Sequence, residues 1–173
     1  MAQEMKNIMK EIRLEKVVLN MGVGKSGDAI EIAKKALGQI SGKTPNARNA
    51  KKAQRDWGVR KNEPIGVAVT VRNDDAKELL KKIFEAKGNS VNTKSFDKDG
   101  NLSFGILEHI DIPGVKYDPK IGILGLEVSV SLARPGFSIK LRSKHKASIG
   151  KNHRITKNDA TKFYIEKFGV NIV

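Results

Sequence analysis

Apolar residues recur along this chain at two different periods, and the changes of period mark out its elements. From Pro64 to Val71 they alternate: Ile65, Val67, Val69 and Val71 fall on one side, Gly66, Ala68 and Thr70 on the other. From Gly125 to Leu132 they alternate again, with Leu126, Val128, Val130 and Leu132 opposed by Glu127, Ser129 and Ser131. A period of two is the signature of a strand with one face covered. Glu15 to Asn20, around Val17, Val18 and Leu19, predicts a further strand. Elsewhere the spacing is three and four. Ile30, Ala33, Leu37 and Ile40 form the apolar face of a helix capped by Asp28 with Glu31 in the capping-box position, and ended by Gly42 and Pro45. Leu79, Leu80, Ile83 and Phe84 line a helix from Asp75 to Lys87, capped by Asp74 and stopped by Gly88. Thr156 and Asp159 form a capping box for a last helix whose face is Ala160, Phe163, Tyr164 and Phe168, with Gly169 as the stop.

The remaining segments are less regular. Lys6 to Ile12 predicts a short helix. Asn101 to Glu108 is compatible with a strand or a helix. Arg134-Pro135-Gly136 predicts a turn, and Phe137 to Arg142 a strand returning beside the one before it as a hairpin. The sum is an α+β chain of two layers: a mostly antiparallel sheet with helices packed on one face and the other face open. With 173 residues and no repeat or linker, residues 1–173 are expected to form one domain.

Charge changes this picture from a fold to a partner. Lys and Arg number 33 against 19 Asp and Glu, a formal net charge of +14, which calls for an acidic polymer. Two stretches concentrate it. Asn46 to Asn62 carries Arg48, Lys51, Lys52, Arg55, Arg60 and Lys61 with Asp56 as its one acid, and its sparse apolar residues suggest a long, partly mobile excursion. Arg134 to Lys157 carries Arg134, Lys140, Arg142, Lys144, Lys146, Lys151, Arg154 and Lys157 with no acid, an arrangement that repels itself unless phosphate supplies the counter-charge. The open sheet face adds Asn20, Thr70 and Arg72, with Lys25 adjoining, side chains able to bond bases, 2′-hydroxyls and phosphates. Phe96 and Phe104 are read as core residues rather than base-stacking ones.

The stretch Leu19-Asn20-Met21-Gly22-Val23-Gly24-Lys25-Ser26-Gly27-Asp28 overlaps two nucleotide motifs and completes neither. G-x-G-x-x-G is present, but no acid stands at the ribose distance before Asp56. Gly24-Lys25-Ser26 ends like a P-loop, but Leu19 stands where the arching glycine is needed. A tight strand-to-helix turn, or phosphate contact with nucleic acid, explains the glycines instead. No nucleophile elbow, paired carboxylates or H-E-x-x-H pattern supports catalysis, so no enzyme, cofactor or metal is expected; Glu108-His109-Ile110-Asp111 is too little for a metal. With no cysteine, no apolar leader and no run long enough for a bilayer, the expected setting is the cytoplasm, without a membrane partner.

Four segments, in order and spread over nearly the whole chain, resemble a known family. They are Glu15-Lys16-Val17-Val18-Leu19-Asn20-Met21-Gly22-Val23-Gly24, the run Lys61 to Arg72, Ser95-Phe96 through Phe104-Gly105-Ile106, and Glu108-His109-Ile110-Asp111-Ile112-Pro113-Gly114. They resemble the ribosomal protein L-five family, universal large-subunit proteins that bind 5S ribosomal RNA, in its archaeal form. The resemblance implies a structural constituent of the large subunit that anchors 5S rRNA in the central protuberance with large-subunit rRNA and other proteins there. It implies 5S contacts at Asn20, Gly22, Lys43, Thr70 and Arg72. It implies that Asn46 to Arg60 reaches toward P-site tRNA, and that His109 to Tyr117 faces a protein of the small-subunit head in an intersubunit bridge. Two departures stand out: Asn62 where relatives often carry Gly, and a modest basic density after Leu141. The alternative left open by the residues is a cytosolic RNA-binding factor that does not stay on the ribosome.

Overall fold

The computed structural model describes residues 7–24, 26–115 and 117–173. Five strands form an antiparallel sheet in the order β2-β3-β1-β6-β5: β1 Arg13–Gly22, β2 Asn46–Asn49, β3 Pro64–Val71, β5 Leu102–Ile106 and β6 Leu126–Ala133. Helices α1 (Asp28–Ser41), α2 (Asn73–Ala86) and α4 (Lys157–Phe168) supply the second layer. A two-residue parallel pair, β4 (Ser90–Val91) with β7 (Asn171–Ile172), ties the segment after α4 to the segment after α2.

The period-two pattern does what it predicts. Val17, Leu19 and Met21 of β1, Val67, Val69 and Val71 of β3, and Leu126, Val128, Val130 and Leu132 of β6 all face the helices and join one core with Leu37, Leu80, Ile83 and Phe84. Phe84 anchors an aromatic cluster with Phe104, Tyr164 and Phe168 at centroid distances of 5.8, 6.1 and 5.6 Å. Phe96 packs on Tyr164 at 5.7 Å, so both phenylalanines belong to the core, as expected. Burial pushes the Tyr164 hydroxyl well above the usual tyrosine range.

Several local expectations are corrected. The helix after Gly27 takes that glycine as its cap, with φ of 98°, so the Asp28–Glu31 box does not form and Glu31 instead pairs with Lys34 at 2.6 Å. Asp74 lies inside the first turn of α2 rather than capping it. Phe137 to Arg142 is not a strand: it contains a helical turn, α3 (Ser138–Leu141). The physical reason is that β6 already has β1 on one side and β5 on the other, so no edge remains for a returning strand. The predicted N-terminal helix is a single 3-10 turn, Ile8–Lys10, and Lys6 lies outside the described residues. By contrast the Thr156–Asp159 capping box forms at both of its bonds. Asn101 to Glu108 resolves into strand β5.

Candidate nucleic-acid interface

The sheet face turned away from the helices is read from the strand registers. One row across it is Thr70, Val18, Ser129 and Ser103. The next is Asn46, Ala68, Asn20, Glu127 and Gly105, and beyond it lie Arg48, Gly66 and Gly22. Half of these positions are Gly, Ala or Ser, so the face is a polar platform on which another backbone can lie closely. Gly66 is required for the sheet itself: a Cβ there would stand 2.9 Å from the Met21 carbonyl oxygen. Basic side chains border the platform. Arg72 sits just past Thr70, its guanidinium 4.0 Å from Glu15, with Lys16 3.9 Å from the same carboxylate. Lys43 is exposed but held by Asp75 at 2.6 Å.

The glycine-rich turn after β1 is built for packing. The Val23 and Gly24 amides both donate to the Ile65 carbonyl, at 3.0 and 2.9 Å, and so do not converge on a phosphate. The Ser26 hydroxyl, the group a P-loop gives to its cation, donates to Glu63 at 2.5 Å. The other Glu63 oxygen accepts from the Arg60 amide at 2.8 Å. These two bonds, the hydroxyl's first, hold the Glu63 carboxyl below the usual carboxylate range. Lys25 itself lies outside the described residues.

The basic stretch Asn46 to Asn62 is a hairpin excursion. Its first four residues are the edge strand β2, which places Arg48 beside the platform rather than on the excursion. Ala50 is buried, and the base closes through Ala50 N–H to Glu63 O at 2.8 Å and Asn62 N–H to Ala50 O at 2.9 Å. Asn62 adopts φ of 68°, the left-handed turn conformation that asparagine tolerates best after glycine. Further out, Gln54 and Val59 exchange bonds of 2.9 and 3.0 Å, and a 3-10 turn, Arg55–Trp57, forms the tip. Trp57, the sole tryptophan, is 79% exposed there, with Lys51, Lys52, Arg55 and Arg60 exposed around it. Counting charge alone misses Trp57; a lone aromatic among lysines and arginines is the signal in sequence that marks it.

Between β6 and α4 the second basic stretch folds over an open groove of about 880 Å³, lined by Lys16, Lys140, Lys146 and Arg154 together with Phe137, Leu141 and Ile149. Lys140, Arg142, Lys144, Lys146, Lys151 and Arg154 are exposed, and Arg142 and Arg154 each spend their Nε on a local carbonyl, of His145 and Ile149. Arg134 differs. Its side chain is only 11% exposed and bonds inward, to Asp159 at 3.1 Å and to the carbonyls of His153 and Arg154 at 3.4 and 3.2 Å. His109 is also turned inward, its Nδ1 accepting from the Leu124 amide at 3.3 Å while its own amide donates to the Leu124 carbonyl at 3.0 Å, which pins the two ends of the connection between β5 and β6 to each other.

A one-sided sheet with an open polar face, bordered by two cationic projections on a chain of net charge +14, defines a protein that binds nucleic acid by surface rather than by pocket. Comparison with known proteins gives the class its family. The family described as ribosomal protein L5 matches residues 7–60, and the model of that family's C-terminus matches residues 64–163. The chain is 67% identical over 172 residues, 99% of both chains, to a large ribosomal subunit protein uL5 of Nitrosopumilus maritimus. It is 47% identical to the uL5 protein of Pyrobaculum aerophilum, over 95% of this chain and 92% of that one, and 41% identical to that of Methanococcus aeolicus, over 96% and 94%. This chain belongs to the ribosomal L5 family, in its archaeal form. It is a structural, non-enzymatic constituent of the large ribosomal subunit, with ribosomal RNA as its partner and the cytoplasm as its place of work.

Proposed function

We propose that within the large subunit the open sheet face carries 5S rRNA. The observation that supports this most is the platform itself: Thr70, Val18, Asn20 and Gly22 line the helix-free face with small or polar groups, and Arg72 stands at its border. RNA helices are recognised along their wide, shallow groove by 2′-hydroxyl and phosphate contacts, which such a surface admits and a bulky one excludes. The exposed cations of the 140–154 segment, with Lys25 and Lys43 flanking α1 in sequence, supply the phosphate contacts that complete the hold on 5S and large-subunit rRNA. The 50–63 hairpin, hydrogen-bonded at its base and cationic along its length, reaches P-site tRNA. The loop pinned by His109 faces a small-subunit head protein and forms the intersubunit bridge, while neighbouring proteins of the central protuberance pack around the rest.

The deciding experiment is a filter-binding titration of 5S rRNA at fixed salt. Replacing Thr70 and Arg72 together by Ala should weaken binding by about tenfold or more, the loss expected for two contacts of about 1 kcal/mol each. Lys82→Ala, exposed on helix α2 in the layer that covers the other face of the sheet, serves as the charge control. Equal affinities for the double variant and the control would refute the assignment of this face.

A further inference from the structure

One residue on the platform has the wrong sign for its surroundings. Glu127 lies in the middle row of the open face, opposite Asn20 on one side and Gly105 on the other. Its Oε2 accepts from the Asn20 side-chain amide at 3.1 Å, and among the described residues no lysine or arginine nitrogen approaches it within ion-pair distance. Gly105 contributes no side chain to cover it, so the carboxylate stands open to whatever lies on the sheet. An ionised carboxylate is an acceptor only. Against a phosphate chain it repels, and it becomes favourable only where the ligand offers a hydrogen-bond donor. RNA offers such donors in the ribose 2′-hydroxyl and in the amino edge of guanine.

We propose that Glu127, set in place with Asn20, reads a hydrogen-bond donor of the bound RNA, so that the platform selects where on the RNA it docks instead of holding any phosphate chain. This rests on the reading of the open face as the 5S site. Bare electrostatics and this proposal predict opposite signs for the same substitution. Removing a negative charge from a surface that binds a polyanion strengthens binding if charge alone matters. If Glu127 accepts a bond from the RNA, its removal weakens binding.

The test is the same titration of the full chain with a 5S rRNA transcript, using Glu127→Ala and Glu127→Gln. We expect Glu127→Ala to lose about tenfold in affinity, the order of one charge-assisted hydrogen bond. Glu127→Gln keeps one acceptor oxygen and should lose less. Unchanged or tighter binding by either variant overturns the proposal. If the Thr70/Arg72 double variant weakens binding while both Glu127 variants do not, this inference alone falls; if neither does, the reading of the face falls with it. Interference mapping then identifies the donor. Transcripts with scattered 2′-deoxy residues, or with inosine in place of guanosine, should show a position that impairs binding to the wild-type chain and not to Glu127→Ala. A 2′-deoxy position identifies a ribose hydroxyl and an inosine position identifies guanine. The absence of any position that depends on Glu127 refutes the proposal.

Discussion

Replacing Arg134 by Ala should cost the protein stability first and RNA affinity second. The guanidinium ties the start of the basic segment to its end: one nitrogen bonds the His153 and Arg154 carbonyls, another the Asp159 carboxylate, which also caps α4. Hydrogen bonds to a charged group are each worth about 1.5–3 kcal/mol net. Three of them overstate the total, because the two carbonyl bonds share a nitrogen and are long. The Nε is buried without a partner, which subtracts about 1 kcal/mol or more. Asp159 is also 39% exposed and recovers water when its partner leaves. Loss of a fully buried pair costs about 3–5 kcal/mol, so the expected loss here is lower, about 2–3 kcal/mol. For a chain of this size that is a fall of roughly 5–10 °C in Tm. Thermal unfolding followed by circular dichroism measures it, and limited proteolysis between Gly136 and Lys151 should show the segment loosened. Arg134→Lys, with charge but no fork, should recover part of the loss. A Tm within about 1 °C of wild type, with RNA affinity reduced, would refute the reasoning and return Arg134 to the RNA-facing set.

Gly66→Ala should destabilise by about 1–3 kcal/mol through overpacking, since the new methyl meets the Met21 carbonyl oxygen on the neighbouring strand; the urea midpoint reads this directly. Trp57→Ala should leave stability within about 0.5 kcal/mol, as an exposed side chain allows, yet speed the release of P-site tRNA from ribosomes carrying it; equal release rates would count against the hairpin's proposed reach. Calorimetric titration of the isolated protein with ATP and GTP should be silent, because Ile65 and Glu63 already occupy the amides and hydroxyl that a phosphate loop needs; saturable GTP binding lost on Lys25→Ala would contradict this.

Much of the fold was legible because the sheet has one wet face and one dry one. Val67, Val69 and Val71 announce that arrangement in sequence, and the same alternation exposes Thr70 and Asn20 as the platform. What escaped depended on residues far apart. Strand β2 is polar at every position but Ala47, as an edge strand bordering solvent can be, so it carried no alternation to read. The supposed strand at Phe137 was excluded by β1 and β5 occupying both sides of β6. Arg134 looked like its neighbours because its partner, Asp159, comes 25 residues later. Glu127 was counted as outward and polar, and only the register opposite Asn20 gives it a place among the candidate contacts.

The strand order has a consequence for how the chain comes off the ribosome that makes it. β1 is the middle strand, yet one of its two neighbours, β6, is encoded far downstream: Asn20 and Glu127 are 107 residues apart. The aromatic cluster closes only when Tyr164 and Phe168 of α4 arrive, and the β4–β7 pair waits for Asn171 and Ile172. From the completion of β3 at Val71 until β6 begins at Leu126 the nascent chain therefore holds β1 and β3 with an uncovered side, a state in which exposed strand edges invite wrong pairing. Docking of α4 becomes the step that makes the fold fit for assembly, so loss of that helix would leave an aggregation-prone precursor rather than a weakened subunit component.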